Sequence, residues 1–352
     1  MGSIILSLPQ INQPMIRFFE NYSLKIHNTF SVNANAKYYF EFTDTEDLDV
    51  FLQSNKTWKD EKLLILGGGS NILFVNDFDG LIIRPNVPGV KEVAEDRQNV
   101  WIEVGAGENW DEFVHYCVDM KLGGIENLSL IPGTVGAAPV QNIGPYGQEV
   151  SNVIEIVKGY DMETRLNFEM LAFNCEFSYR SSIFKHSFKN RAIITSVVFR
   201  LSKFPEYNLS YGQVEEKVKE RGDVSLWNIR DAVIEIRSSK LPDVKELSNA
   251  GSFFKNPVVD LNVAEQLQKK FENVPIYPAE NDKVKLAAGW LIEKAGWKGA
   301  REGDVGVHKK QALVLVNHGN ATGKEIFDFS EKIKQSVLEQ FGVELEREVN
   351  CI

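Results

Sequence analysis

Cysteine is scarce in this chain of 352 residues: Cys117, Cys175 and Cys351 are odd in number and far apart. They form neither a disulfide framework nor a C-x-x-C pair, which fits reduced thiols and a cytoplasmic setting. Histidine is equally sparse, with five residues and no H-x-x-x-H arrangement, so no metal site is expected. Positive charge is in deficit. Lys and Arg total 39 against 49 Asp and Glu, a formal net charge of −10, which argues against a nucleic-acid surface or a polybasic membrane patch. No apolar run approaches a membrane span, and Ile4–Leu6 is too short for the core of a signal peptide. Repeats and low-complexity stretches are also missing. What is left is ordinary globular composition, 43% hydrophobic and 25% charged, long enough for two or three domains.

Glycine is where the sequence becomes specific. Leu63–Leu66 reads as a buried strand, followed by Gly67-Gly-Gly-Ser-Asn71 and the apolar Ile72–Val75. Ile72 stands where the third glycine of G-x-G-x-x-G belongs, and no Lys-Ser or Lys-Thr follows, so neither dinucleotide nor Walker A signature is present. The turn reads either as a backbone nest for a phosphate, with Ser70 and Asn71 as extra donors, or as a plain hairpin. A second segment, Ile131-Pro-Gly-Thr-Val-Gly-Ala-Ala-Pro-Val-Gln-Asn-Ile-Gly-Pro-Tyr-Gly147, has small apolar residues and adjacent Gln141 and Asn142 without nearby charge. Such a loop brings backbone N–H and C=O groups against a flat, polar, neutral ligand, or is a structural turn.

The coarse pattern is α+β. Strands are expected at Lys37–Phe42, Leu63–Leu66, Gly80–Arg84, Val100–Val104, Val153–Val157, Arg191–Phe199, Ala312–Val316 and, by alternation, Val343–Val349. Helices are expected at Asp47–Leu52, from an Asn109/Glu112 capping box to about Lys121, from about Asn228 to Arg237 with Asp231 as a cap partner, and at Val263–Phe271, Val284–Lys294 and Thr322–Phe341, the last with Thr322/Glu325 as capping box. Leu241-Pro242 marks a domain boundary. Residues 1–20 read as a dispensable extension, with Met15 an alternative start.

Several segments carry candidate chemistry. Arg180, in Tyr179-Arg-Ser-Ser-Ile-Phe-Lys185, is either a bidentate carboxylate clamp or a surface arginine. Ser252, in Ala250-Gly-Ser-Phe-Phe-Lys-Asn-Pro257, has no G-x-S-x-G context; it is a proton donor or part of a turn. Arg237 and Lys240 are spaced i, i+3, which suits one phosphate or a solvated helix face. Glu344, Glu346 and Glu348 share one strand face, and three like charges there are expected to face solvent.

Taken in order, these segments resemble the UDP-N-acetylenolpyruvoylglucosamine reductases, flavoenzymes that make UDP-N-acetylmuramate for peptidoglycan. The likeness runs from Ser23-Leu-Lys-Ile-His-Asn-Thr-Phe30 to the C-terminus and includes Gly105–Asn109, Lys240-Leu-Pro242, Lys285–Ile292 and Gln311–Val314. Leu209-Ser-Tyr-Gly212 and Pro275-Ile-Tyr277 resemble the subtype with a tyrosine-bearing substrate loop. The resemblance implies an α+β chain: an FAD-binding fold of the vanillyl-alcohol-oxidase/p-cresol-methylhydroxylase type with a C-terminal α+β substrate domain. The implied division is an extension over 1–22, FAD-binding subdomains over 23–86 and 87–240, and a substrate domain over 241–342, with 343–352 returning to the first subdomain.

It further implies FAD with its diphosphate on Gly67, Gly68, Gly69, Ser70 and Asn71. The isoalloxazine would lie against Ile131, Pro132, Gly133, Gly136, Ala137, Gln141, Asn142, Ile143, Gly144 and Arg180. Ser70 stands where related oxidases attach flavin through a histidine, so the FAD is expected to be non-covalent. NADPH would be the reductant. The reacting residues implied are Arg180, Ser252 and Glu348, and the further substrate contacts Tyr146, Tyr211, Arg237, Lys240, Asn256, Tyr277 and Gln311, with Tyr211 a mobile lid. A cytoplasmic monomer acting on a small molecule, with no nucleic-acid or membrane partner, is the corresponding expectation. The chain departs from the family pattern Glu-Pro-Glu-Val-Arg, reading Glu346-Arg-Glu-Val-Asn350 and ending at Ile352. Ser181 replaces a usual aspartate and Pro145 a usual alanine.

Overall fold

The computed structural model describes residues 17–54, 60–280 and 282–352. Its first sheet pairs Arg17–Ser23 antiparallel to Asn35–Phe42, which runs parallel to Phe78–Pro85, itself parallel to Lys62–Ile65. The helix Thr45–Ser54 crosses between the second strand and Lys62–Ile65. Parallel neighbours require such a crossover. Residues 17–22, expected in the extension, are therefore an edge strand, tied down by Arg17 on Glu41 at 2.7 Å. Residues 1–16, with Ile4–Leu6 and Met15, lie outside the described residues.

A second sheet is antiparallel throughout, in the order Val90–Glu95, Asn99–Gly105, Ala192–Ser202, Ile154–Asp161, Leu166–Leu171. One face covers a core with the helix Trp110–Asp119, whose N-cap Asn109 accepts the N–H groups of Asp111 and Glu112. Only the cap half of the expected capping box forms there. By contrast, Thr322 and Glu325 make the full reciprocal pair at the head of helix Gly323–Phe341.

The helix expected near Asn228 spans Leu226–Lys240, capped by Ser225, whose hydroxyl oxygen accepts the Asn228 N–H; Asp231 plays no capping part. The helix expected over Val284–Lys294 splits. Lys283–Leu286 is a strand between Val258–Asp260 and Ile276–Pro278, and the helix begins at Ala288. Flanking strands thus override helical spacing in that segment. The third larger sheet orders Ser248–Ser252, Val314–Asn317, Val305–Val307 and Arg301–Glu302.

The expected strand Val343–Val349 does not form. Only Asn350–Cys351 is a strand, parallel to Ile72–Leu73, with an isolated bridge from Arg347 to Phe254. One continuous core joins Leu24–Phe74 and Ile82 to Ala250–Val349, while the residues before Leu241-Pro242 pack in a separate cluster, Val214 to Ile236. Among the described residues, no helix is long and apolar enough to cross a membrane.

Candidate active site

The glycine turn closes no hairpin, since Lys62–Ile65 and Ile72–Leu73 pair with different partners. Gly69 has φ +65°, and a Cβ there would stand 1.9 Å from the His27 carbonyl oxygen, so only glycine fits. A Cβ on Gly68 would lie 3.0 Å from Gly133 Cα, which records how closely the turn meets the second loop. Ser70 Oγ donates to the Pro132 carbonyl at 3.0 Å. Asn71 Nδ2 donates to Gln141 Oε1 at 2.5 Å and to the Glu348 carbonyl at 3.2 Å, so one amide ties together turn, loop and C-terminal segment.

The second loop is held in a strained conformation. Leu130, Asn142 and Tyr146 take φ of +59°, +46° and +52°. Leu130 N–H donates to Asp111 Oδ1 at 2.5 Å, and Arg230 grips the same carboxylate with contacts of 2.7 and 3.0 Å. Asn142 is corrected from its expected place against the cofactor: its fully buried amide donates to Glu149 Oε2 and the Ser178 carbonyl and accepts the Ser151 N–H. It braces the loop from behind.

Turn and loop enclose a cavity of about 620 Å³. Its lining includes Gly67–Asn71, Ile131–Gly133, Gly136, Ala137, Gln141, Ile143, Gly144, Arg180, Arg237, Ser252 and Glu348. That volume is in the range of small-molecule sites. Among the described residues, the N–H groups of Gly67 through Asn71 donate to no protein acceptor. Five consecutive free donors in an uncharged turn fit an anionic diphosphate. The N–H groups of Gln141 and Gly144 are likewise unspent, and suit the polar edge of a flat ring. The residues present thus fit FAD.

Arg180, itself at φ +54°, donates from Nη2 to the Gly144 carbonyl and forms an ion pair through Nε with Glu348 Oε1 at 3.2 Å. The Glu348 side chain is 14% exposed. Burial pushes its carboxyl pKa up, and the opposing pull of Arg180, Lys185 and Lys255 does not cancel the effect. Glu348 keeps the phase of Glu344 and Glu346, opposite the buried Val343, Leu345 and Val349, and is covered because Arg180 meets that face; the N–H groups of Glu348 and Val349 both point at the Phe253 carbonyl, at 2.8 and 3.5 Å. Glu344 and Glu346 keep the expected exposed phase. Ser252 follows Gly251, at φ +68°, and its hydroxyl has no partner among the described residues.

Arg237 reaches the cavity from the last turn of Leu226–Lys240, its Nε buried without a partner. Lys240 is exposed and outside the lining, so the i, i+3 pair is not joined at the cavity. The other expected substrate contacts also sit beyond the lining. Tyr146 and Tyr211 meet edge to face at 6.1 Å, and Tyr211 is half exposed. Tyr277 stands on the strand Ile276–Pro278. Asn256 Oδ1 accepts the Ala288 N–H at 3.0 Å, and Gln311 Oε1 accepts the Leu313 N–H at 3.4 Å.

Sequence reasoning missed Trp110, Thr134 and Lys185 in the lining. Lys185 Nζ donates to the Arg180 carbonyl at 3.2 Å, and burial beside Lys255 pushes its pKa down. Its place at the end of the Tyr179–Lys185 segment was the available signal.

Comparison with known proteins agrees with this geometry. A family profile described as UDP-N-acetylenolpyruvoylglucosamine reductase, C-terminal domain, matches residues 243–352. One described as FAD binding domain matches residues 36–165. A UDP-N-acetylenolpyruvoylglucosamine reductase of Flavobacterium johnsoniae is 46% identical over 335 residues, 94% of this chain and 98% of its own. That of Amoebophilus asiaticus is 46% identical over 336 residues, 95% and 98% of the two chains. Among solved structures, UDP-N-acetylenolpyruvylglucosamine reductase from Thermus caldophilus aligns over 96% of this chain and 98% of its own, with a TM-score of 0.65 at 22% identity, a likeness of fold.

Proposed function

The chain belongs to the UDP-N-acetylenolpyruvoylglucosamine reductase family; it is an FAD oxidoreductase that uses NADPH to reduce UDP-N-acetylglucosamine enolpyruvate to UDP-N-acetylmuramate in peptidoglycan synthesis, and we propose that Arg180, Ser252 and Glu348 carry its chemistry. Bound FAD supplies the hydride relay from NADPH to the terminal vinyl carbon of the substrate. Everything else falls to side chains. As that carbon gains hydride, negative charge spreads from the adjacent carbon onto the substrate carboxylate. Arg180, oriented by the Gly144 carbonyl and Glu348, offers its remaining guanidinium N–H groups to that charge.

An ionised Glu348 would repel the developing anion. Burial raises its pKa, and its pairing with Arg180 offsets the charge that remains. Ser252 then gives its hydroxyl proton to the adjacent carbon, so that one hydride and one proton have added across the double bond. The observation that carries this assignment is the convergence of a partnerless Ser252 hydroxyl and the Arg180–Glu348 pair on one cavity walled by the glycine turn.

In the same reading, residues 23–86 and 87–240 bind FAD, with Gly67–Asn71 receiving its diphosphate non-covalently. Residues 241–342 bind substrate, and residues 343–352 return Glu348 to the FAD-binding part. The orphaned Nε of Arg237 favours a phosphate of the UDP moiety. Tyr211 closes over the substrate, with Tyr146, Lys240, Asn256, Tyr277 and Gln311 meeting it once closed. In this reading the chain acts as a cytoplasmic monomer, and its three unpaired cysteines fit a reducing compartment. The test is anaerobic NADPH oxidation by the holoenzyme with limiting enol ether. One NADPH consumed per substrate over many turnovers is expected. Flavin that NADPH reduces and the enol ether leaves reduced would refute the proposed reaction.

A further inference from the structure

Arg347 immediately precedes Glu348. The residue borders the cavity, and its side chain engages the helix Gly323–Phe341. Nε donates to the buried Ser330 Oγ at 2.9 Å, Nη2 pairs with Glu331, and the guanidinium lies 4.3 Å from the centre of the Phe327 ring. The Arg347 side chain is only 17% exposed. Two flanking contacts complete the fixture. Lys255 N–H donates to the Glu346 carbonyl at 2.9 Å, and Asn350 donates from both its backbone N–H and Nδ2 to the Asn71 carbonyl at 3.1 Å.

The backbone at Glu348 is held by Asn71 Nδ2 on its carbonyl at 3.2 Å and by one shared acceptor. Two N–H groups share one carbonyl, and one of those contacts is 3.5 Å. A one-residue slip of the segment would turn Glu348 to the opposite face, away from Arg180. We propose that Arg347 is a positioning residue: by anchoring the segment to the helix through Ser330, Glu331 and Phe327, it holds Glu348 against Arg180. A fixed φ at this position is a second way to hold the same chain path. Arg347 N–H makes no hydrogen bond among the described residues, so proline there costs no bond. Asn350 holds the other end of the segment on the glycine turn.

The inference rests on the reading that Glu348 acts in the reaction, and the experiment separates the two. Arg347→Ala, Arg347→Pro, Glu348→Gln and the Arg347→Ala/Glu348→Gln double variant are compared as holoenzymes in anaerobic stopped flow. Flavin reduction by NADPH and reoxidation by the enol ether are followed separately. Misplacement of a reacting group by about 1 Å costs about 100-fold, so Arg347→Ala should slow reoxidation about 10- to 100-fold and leave reduction within about threefold. Arg347→Pro should restore reoxidation. Arg347→Ala should add no further loss once Glu348 is Gln, because it acts through Glu348. On the apoprotein, amide exchange at Glu348 and Val349 should accelerate in Arg347→Ala and not in Arg347→Pro. If Arg347→Ala does not fold, Ser330→Ala/Glu331→Gln removes two anchors from the helix side and should give the same pattern.

Wild-type reoxidation in Arg347→Ala, or equal losses with and without Glu348, overturns the positioning role. A wild-type rate in Glu348→Gln overturns the reading beneath it.

Discussion

Arg180→Lys retains the positive charge and removes the fork. In the native site one guanidinium nitrogen holds the Gly144 carbonyl, Nε holds Glu348 at 3.2 Å, and the rest of the group is left for substrate. An ammonium is a point charge on a flexible stem and cannot keep three directed contacts in that plane. Hydrogen bonds to charged groups contribute about 1.5–3 kcal/mol each, so losing the bond to the developing carboxylate charge together with part of the orientation costs about 3–4 kcal/mol. At about 1.4 kcal/mol per decade, that is a 10²- to 10³-fold slower transfer to substrate. The assay is anaerobic stopped flow, with pre-reduced Arg180→Lys enzyme mixed with enol ether and flavin absorbance followed. NADPH reduction serves as the internal control and should change less than about tenfold, since no carboxylate charge develops in that half-reaction. Reoxidation within about fivefold of wild type would refute the reasoning, because charge alone would then suffice.

Other variants separate stability from function. Burial raises the folded pKa of Glu348 above its unfolded value, so its contribution to stability is present below about pH 4.3 and is lost as pH rises through the folded value. Glu348→Gln should therefore melt higher than wild type at pH 8, by a margin that shrinks toward pH 4, while turning over more slowly; a lower Tm at pH 8 would contradict the sign. Arg237→Met keeps the buried stem and removes the orphaned Nε, which as an unsatisfied donor costs about 1–3 kcal/mol. The unliganded variant should melt higher and show a KM for the enol ether raised by at least tenfold. Gly69→Ala places a methyl 1.9 Å from the His27 carbonyl and should abolish FAD retention, read as lost flavin absorbance after gel filtration. Gly251→Ala, with open space around its Cβ, should fold normally and lose only about 1–2 kcal/mol to its positive φ.

The parts of the site legible in sequence are those where backbone geometry dictates residue type. Gly69 must be glycine because a carbonyl occupies the Cβ position, and the loop to Gly147 needs small residues where it meets the first turn. Helix ends were readable for the same reason, as Thr322 and Glu325 show. Contacts set by distant chain were not readable. The glycine turn read equally well as a hairpin, because the partner of Ile72–Leu73 is Asn350–Cys351, far along the sequence. Alternation placed Glu348 with Glu344 and Glu346 in solvent; it keeps that phase, and Arg180, brought by distant chain, covers it. Lys283–Leu286 carried helical spacing until two flanking strands claimed it. Asn142 has the chemistry of a ligand contact, but its neighbours Glu149, Ser151 and Ser178 use all of it.

The most direct test of the central claim is Ser252→Ala in the two half-reactions. The hydroxyl has no partner among the described residues, so its removal orphans none of them, and the cavity wall is otherwise unchanged. The expected result is flavin reduction by NADPH at close to the wild-type rate, with reoxidation by the enol ether slowed by about 10²- to 10⁴-fold, the range of a lost general acid. Equal loss in both half-reactions, or wild-type reoxidation, would contradict the assignment of Ser252 as the proton donor.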